Sequence, residues 1–192
     1  MAEDTKRPAG ARPGGRPQGR RDQAPAEPKE FQELVINIDR VARVVKGGRR
    51  FRFKALVVVG DGKNRVGIGV AKGGDVQAAI AKATDVAKKQ VIHIATSKDT
   101  IPHDAEVRFS GARVLIMPAS PGTGIIAGGV VRSIIGVTGI KDLLTKSLSS
   151  TNKVNIAYAT IEALRSLVPK SEWLNAKPAK PVVAKVATEE TK

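Results

Sequence analysis

The chain has 192 residues, carries a formal net charge of +15 and contains no cysteine. This length gives room for one domain or two small ones. The missing cysteine excludes disulfide bonds and Cys-based zinc sites, and no apolar run approaches the roughly 18 residues that a membrane-spanning helix requires. The basic excess favours a polyanionic partner such as nucleic acid.

Both ends of the chain have the composition of flexible segments. Residues 1–30 contain nine Pro and Gly together and no Val, Ile, Leu or Phe. Such a segment cannot bury enough apolar surface to offset the entropy lost on ordering, so we predict a disordered, weakly basic arm. The other end, residues 173–192, is rich in Pro, Lys, Ala and Val without periodicity, and we predict a flexible tail there.

A densely basic segment, Arg40–Lys54, follows the N-terminal arm. Seven of its fifteen residues are Lys or Arg, none is acidic, and a double glycine at 47–48 divides it. Beyond the glycines three cations alternate with three apolar residues: Arg50, Arg52 and Lys54 against Phe51, Phe53 and Ala55. Because side chains alternate sides along a strand, this pattern predicts a β-hairpin with a buried apolar side and a cationic side and tip that face a polyanion. Phe51 and Phe53 are accordingly assigned to core packing, in preference to base stacking.

The flanking segments complete a first α+β module over residues 31–97. Strand-like composition predicts strands at Leu34–Lys46, Arg50–Val59 and Arg65–Val70, although Glu33–Ile38 could instead begin with a turn of helix. Glycine at 67 and 69 in the third strand indicates close approach by another element. Asp75 is a plausible N-cap, and apolar residues then recur at helical spacing. We therefore predict three antiparallel strands with a helix closing one face.

Residues 98–172 are predicted to form a second domain that mixes strands and helices. Val91–Ala95, just before it, has a strand pattern. Glu106–Phe109 and Arg113–Met117 are typical of a hairpin, and a Pro/Gly-rich loop follows at 118–124. The remaining elements are a helix from near Gly129, a strand within Val137–Leu144 and an amphipathic helix over Val154–Val168 that Pro169 ends.

Four separated blocks resemble the bacterial small-subunit ribosomal protein five family. They read GGRRFRFKALVVVGDG at 47–62, RVGIGVAK at 65–72, PASPGTGIIAGG at 118–129 and VNIAYATIEALRSL at 154–167. Together the blocks anchor the span from about residue 31 to residue 170, and both tails lie outside the resemblance. Four motifs in the right order form a far more specific signal than any one of them.

The resemblance implies a fold and a function. The fold would be an N-terminal domain similar to a double-stranded-RNA-binding domain and a C-terminal two-layer α/β domain. The protein would be a structural component of the small ribosomal subunit that contacts ribosomal RNA in the cytoplasm and supports translational accuracy. Its neighbours would be small-subunit proteins four and eight and, where messenger RNA enters the ribosome, protein three. The family is also linked to the body–head junction near the spectinomycin site, through positions that match residues 45–49.

Nine residues of the hairpin are assigned to RNA binding. Arginine can hold a phosphate through two parallel N–H donors, and glycine lets the backbone approach closely. Ordinary double-stranded-RNA-binding domains use a lysine cluster at the start of their last helix, where this chain has Asp75. We therefore place the contact on the hairpin. The nine residues are Arg40, Arg43, Lys46, Gly47, Gly48, Arg49, Arg50, Arg52 and Lys54. A second candidate contact, to RNA or protein, is the loop of Pro121, Gly122, Thr123 and Gly124.

The alternative function is a nucleotide-binding enzyme built on the same loop. Residues 122–127 match G-x-G-x-x-A, and Asp142 lies twenty residues beyond Gly122. A dinucleotide fold needs a second βα unit with the acidic residue at the end of a strand. Asp142 instead sits inside the segment KDLLTK, which argues against this interpretation. The two histidines, His93 and His103, have no cysteine or H-x-x-x-H partner for a zinc site. We predict a protein that is not an enzyme and that uses no cofactor and no metal.

Overall fold

The computed structural model describes residues 31–173, so the predicted arm at 1–30 and nearly all of the predicted tail lie outside the described residues. Within them the chain forms two four-stranded β-sheets, three α-helices and one short 3-10 helix. The strands are β1 Gln32–Val45, β2 Gly48–Gly60, β3 Arg65–Gly73, β4 Ile92–His93, β5 Ala105–Phe109, β6 Ala112–Pro118, β7 Ile125–Ile126 and β8 Leu143–Ser147. The helices are α1 Val76–Lys89, α2 Gly129–Gly136 and α3 Lys153–Arg165, and the 3-10 helix is Lys170–Glu172.

The first sheet has the order β1-β2-β3-β4 and is antiparallel throughout. Residues 33–38 belong to β1, with a bulge between Val35 and Asn37, so the alternative of an initial helical turn is wrong. The short β4 adds a fourth strand to the three that the sequence predicted for this module. Helix α1 begins after Asp75 as expected, but the Asp75 side chain makes no capping hydrogen bond.

Two glycines of β3 explain how α1 packs so closely on this sheet. A Cβ at Gly67 would collide with the carbonyl oxygen of Ala87, and one at Gly69 would collide with that of Ala83. Both obstacles are helix backbone, which cannot move aside as a side chain could. The predicted close approach at these glycines is therefore confirmed, and the element that approaches is α1.

The second sheet has the order β5-β6-β8-β7, in which only the β7–β8 pair is parallel. The predicted hairpin of β5 and β6 is confirmed, and α2 begins at Gly129 as expected. The strand expected within Val137–Leu144 begins only at Leu143 and continues to Ser147. Residues 137–140 instead leave α2 in a turn, where Gly139 has φ +89°.

The two faces of the first sheet pack against different partners. Ala55, Val57 and Val59 lie on what we call the helix face, against the buried alanines of α1. Leu56 and Val58 lie on the opposite face, which we call the docking face. They join one hydrophobic cluster with residues of β6, α2, β8 and α3. Successive residues of β2 are thus buried on alternating faces of the sheet. The cluster on the docking face connects the two halves of the chain.

Backbone hydrogen bonds also join the halves at the turn between β2 and β3. The amide of Gly62 donates to the carbonyl of Val137 over 3.0 Å, and that of Asn64 donates to Thr138 over 2.9 Å. Asp61 holds the turn, because its carboxylate accepts from the backbone amides of Lys63 and Arg65 and from the Arg65 guanidinium. Burial alone would raise the pKa of Asp61, but these hydrogen bonds outweigh it and hold the pKa below its usual value.

Candidate nucleic-acid interface

The β1–β2 hairpin extends beyond the body of the protein and sorts its cations by side. Pairing sets Arg43 opposite Arg50, Val41 opposite Arg52 and Asp39 opposite Lys54, and β3 adds Lys72 opposite Lys54. Directly paired residues share a side of the sheet, and so do residues two apart in one strand. The docking face therefore continues outward as a cationic face, whose members are Arg43, Arg50, Arg52, Lys54 and Lys72.

A shallow groove of about 240 Å³ lies among Arg43, Arg50, Arg52 and Lys72. Lys72 did not appear in the sequence-based set of RNA-binding residues. It follows Val66, Ile68 and Val70 at a spacing of two, so its side of the sheet was readable from β3 alone. The sequence predicted that β3 is antiparallel to its neighbours but not the register of β3 with β2, which brings Lys72 beside Lys54.

One carboxylate does reach the cationic face. Asp39 precedes the acid-free segment by one residue, and its Oδ2 lies 2.7 Å from Lys54 Nζ. The hydrogen bond from Lys54, together with one from Asn37, lowers the pKa of Asp39. The basic segment itself contains no acidic residue, but strand pairing brings a carboxylate from outside it to Lys54. Among residues 31–173, the other four cations of the face have no carboxylate within ion-pair distance.

The apolar side of the hairpin is buried only at its base. Ala55 is fully buried and Phe53 is partly buried against the α1 cluster, but Phe51 is 49% exposed and Val44 is 75% exposed. Core packing is therefore the wrong assignment for Phe51. The reason is that β3 ends at Gly73, which pairs with Phe53. Beyond that point the hairpin has two strands.

Two of the predicted cations lie on this second side. Arg40 pairs with Phe53 and Arg49 pairs with Val44, so both lie on the outward continuation of the helix face. The guanidinium carbon of Arg40 lies 3.7 Å from the centre of the Phe51 ring, within the range of a cation–π contact. The structure thus brings Arg43, Arg50, Arg52 and Lys54 together and separates Arg40 and Arg49 from them.

The tip of the hairpin consists of exposed Lys46, Gly47, Gly48 and Arg49. Gly48 has φ +139°, a backbone conformation that residues with a Cβ rarely adopt. Added Cβ atoms at Gly47 and Gly48 would meet nothing within 4 Å. A partner can therefore approach the backbone of both glycines closely.

The second candidate, the loop of Pro121, Gly122, Thr123 and Gly124, is an exposed turn that precedes β7. Gly122 has φ +87° and Gly124 has φ +74°, and Thr123 bonds back to the carbonyl of Ser120. The amide of Gly124 donates to the carboxylate of Asp142 over 2.8 Å. Asp142 is a buried residue immediately before β8, so its carboxylate stabilises the loop and is not presented to a ribose. This geometry gives the nucleotide-binding alternative no support.

Neither histidine belongs to the hairpin or to the loop at 121–124. His93 is exposed on the edge strand β4. The imidazole of His103 lies 2.7 Å from the Asp104 carbonyl through Nδ1, and its Nε2 accepts from the amide of Val168. Among residues 31–173 no helix is long and apolar enough to cross a membrane.

Comparison with known proteins gives consistent results for both halves of the chain. The family model described as "Ribosomal protein S5, N-terminal domain" matches residues 31–95, and the model "Ribosomal protein S5, C-terminal domain" matches residues 107–174. The chain is also 52% identical over 139 residues to "Small ribosomal subunit protein uS5" of Campylobacter jejuni, in strains 81-176 and RM1221 among others. Each alignment covers 72% of this chain and 95% of the relative.

Proposed function

The chain belongs to the ribosomal protein S5 family. From this membership we propose that the protein is a structural constituent of the small ribosomal subunit and that it binds ribosomal RNA through its β1–β2 hairpin. The family accounts for the subunit and for RNA as the ligand. The choice of the hairpin is an inference from the geometry of this chain.

The observation that carries the proposal is the cationic face. Its five members lie on one side of three paired strands, and four of them have no ion-pair partner among the described residues. Phosphates of a folded RNA offer a matching array of negative charges, and each phosphate neutralised by Lys or Arg releases bound counterions. Such contacts fix position and orientation without reading the base sequence.

We also propose that residues 31–97 form a domain similar to a double-stranded-RNA-binding domain and that 98–172 form a separate α/β domain docked on it. The β-β-β-α order of the first half supports this relation. An ordinary double-stranded-RNA-binding domain binds RNA at the start of its last helix, where this chain has the exposed Asp75. The cationic face lies instead on the side of the sheet opposite α1, which favours a contact transferred to the hairpin.

The loop of Pro121, Gly122, Thr123 and Gly124 is proposed as a second contact, to RNA or to a neighbouring protein. Gly122 is exposed and has open space around it, so the backbone is accessible there, while Asp142 holds the amide of half-buried Gly124. The family resemblance favours small-subunit proteins four and eight as neighbours, with protein three and messenger RNA nearby. A role in translational accuracy at the body–head junction would follow from such a position.

The test is assembly into small subunits. The full-length chain, added to subunits that lack this protein, should co-sediment with them through a moderate-salt wash. A variant with Arg50→Glu and Arg52→Glu should be lost in the wash, because it reverses two charges of the cationic face. The matched control, Lys82→Glu with Lys89→Glu, makes the same charge change on the exposed side of α1 and should remain bound. Retention of the hairpin variant, or equal loss of both, would overturn the assignment of the hairpin.

A further inference from the structure

Phe51 is exposed in a way that differs from the other exposed aromatic residues of the described chain. Phe109 stacks on Tyr158 with ring centres 5.3 Å apart, and Trp173 lies 6.3 Å from the His103 ring. Each of these rings thus has an aromatic neighbour within the protein. Among residues 31–173 Phe51 has no aromatic partner of this kind; the guanidinium of Arg40 lies over its ring, on a part of the hairpin that is beyond the end of β3.

The surroundings of Phe51 combine a flat apolar surface with positive charge. Arg40 lies over the ring, while Val44 and Arg49 pair with each other one step nearer the tip on the same side. A single exposed apolar side chain is ordinary, and so is a single exposed arginine. An aromatic ring flanked by two arginines is the arrangement that holds an unpaired nucleotide, because the ring stacks on the base and the cations neutralise its phosphates.

The two sides of the hairpin therefore match two different parts of a nucleic acid. The cationic face has no aromatic residue and suits the phosphates of a paired region. The Phe51 side has few charges and a π surface, which suits a base that is not already stacked in a helix. Since the sides are opposite, one hairpin can contact both only where a paired segment and an unpaired nucleotide flank it.

We propose that the Phe51–Arg40 pair is a stacking site for one unpaired RNA base, opposite the phosphate-binding cationic face. This inference rests on the proposed function and adds the class of nucleotide that the second side recognises. Because the Arg40 guanidinium covers one face of the Phe51 ring, the base stacks on the other face. Arg49 neutralises a phosphate that flanks that base.

The experiment compares two RNA probes and uses the full-length chain. One probe is a perfect duplex of about 16 base pairs, the length that a double-stranded-RNA-binding domain spans. The other is the same duplex with a single unpaired 2-aminopurine nucleotide, whose fluorescence falls on stacking. Wild-type protein should prefer the second probe and quench its fluorescence.

Phe51→Leu should abolish the quenching and lower affinity for the unpaired probe by about tenfold, within the range known for stacking of one base on an aromatic side chain. Affinity for the perfect duplex and its dependence on salt should stay as in the wild type. Phe51→Tyr should restore both the preference and the quenching. Two controls, Val44→Ala on the same side and Phe109→Leu elsewhere on the surface, should change neither.

Each contrary outcome has a separate meaning. Equal wild-type affinity for both probes, without quenching, would overturn the stacking site, while salt-dependent binding of the duplex would leave the proposed function intact. A loss of affinity for both probes in Phe51→Leu would also overturn it, because the ring would then only maintain the hairpin. Absence of salt-dependent binding to either probe would count against the proposed function itself.

Discussion

The inner and outer parts of the same hairpin have opposite surroundings. At the inner end, Ala55–Gly60 are buried on both sides, by α1 on one and by the shared core on the other. At the outer end, Arg49–Arg52 are exposed on both sides. The strands and their alternation continue unchanged between the two regions. The difference comes from the third strand and from α1, which stop near Phe53, while the strands of the hairpin continue.

The two parts of the hairpin are therefore expected to have different roles, one in stability and one in binding. The inner part is held on both sides and fixes the position of the hairpin relative to the second sheet. The outer part contributes little to the core and is free to make contacts with a partner. Substitutions in the inner part should therefore change stability, and substitutions in the outer part should change RNA binding.

The largest effect is expected for Leu56→Ala at the inner end. Leu56 is 1% exposed and belongs to the cluster that both halves share. Removing a buried leucine side chain typically lowers the free energy of unfolding by about 2–5 kcal/mol. Urea unfolding should be followed by circular dichroism, which reports both halves, and by fluorescence of Trp173, which reports the second.

Val44→Ala is the matched control at the outer end, because Val44 is 75% exposed. Its free energy of unfolding should change by no more than about 0.5 kcal/mol. Because one core connects the halves, Leu56→Ala should shift both probes together. A shift in circular dichroism alone would mean that the halves unfold separately, and equal effects of the two variants would remove the contrast.

The next effect is expected in RNA affinity, when Arg43, Arg50 and Arg52, three members of the cationic face, are all replaced by Ala. The three side chains are exposed, so the thermal melt should change little. If each arginine neutralises one phosphate of a duplex, the slope of log affinity against log salt should flatten by up to about 0.9 per arginine. A salt titration of binding measures this slope.

The control removes three exposed cations elsewhere, by Lys82→Ala, Lys89→Ala and Arg165→Ala. Two of these lie on α1, the helix that ordinary double-stranded-RNA-binding domains use. The control should keep nearly the wild-type slope. An equal flattening would mean that overall charge, and not the hairpin, determines binding.

How far the sequence predicts this fold depends on whether a pattern is local. Alternation in β2 correctly placed Arg50, Arg52 and Lys54 on one side, and glycine in β3 correctly indicated the close approach of α1. Those features depend on neighbours in the chain. The exposure of Phe51 depends on where β3 ends relative to β2, and no local pattern contains that information.

The composition of the cationic face was predicted in part for the same reason, whereas its role in RNA binding stays a prediction. Arg43 and Lys54 were found because the hairpin is dense in cations, but the density did not reveal that Arg40 and Arg49 lie on the other side. Lys72 and Asp39 were left out because they sit outside the basic segment. Both join the face only through strand pairing, because Lys54 lies between them: it is opposite Lys72 in β3 and forms an ion pair with Asp39 in β1.

A smaller effect is expected at the tip, where two adjacent glycines differ in conformation. Gly48→Ala places a Cβ on a residue with φ +139°, a sparsely populated conformation, which should strain the turn by about 1–2 kcal/mol. Both strands are exposed there, so the strain should distort the tip locally and lower RNA affinity about 5- to 30-fold without changing the salt slope.

Gly47→Ala is the control for that variant, since Gly47 has no positive φ and also has open space around it. Its affinity should fall only by the part that close approach of RNA to the backbone contributes, and so by less than that of Gly48→Ala, because no turn strain is added. If Gly47→Ala weakened binding as much as Gly48→Ala, close approach of RNA to the backbone would be the cause instead of turn strain. Affinity titrations at one salt concentration, followed by the slope for each variant, distinguish the two explanations.

The smallest effect is expected for Asp39→Asn, which should lower the stability of the fold but raise RNA affinity. Asp39 and Lys54 form an ion pair in which the Asp39 side chain is 41% exposed, so its loss should cost about 0.2–1 kcal/mol of stability at neutral pH. The pKa of Asp39 is lowered in the folded state, so this contribution is present above the pKa of the unfolded chain and is lost as pH falls through the folded value. Unfolding curves of wild type and variant should therefore converge in strong acid.

RNA affinity of Asp39→Asn should instead rise at neutral pH and its salt slope should steepen by up to about 0.9, because Lys54 becomes available to a phosphate. If affinity fell, Asp39 would be needed to position Lys54, and the cationic face would depend on this carboxylate.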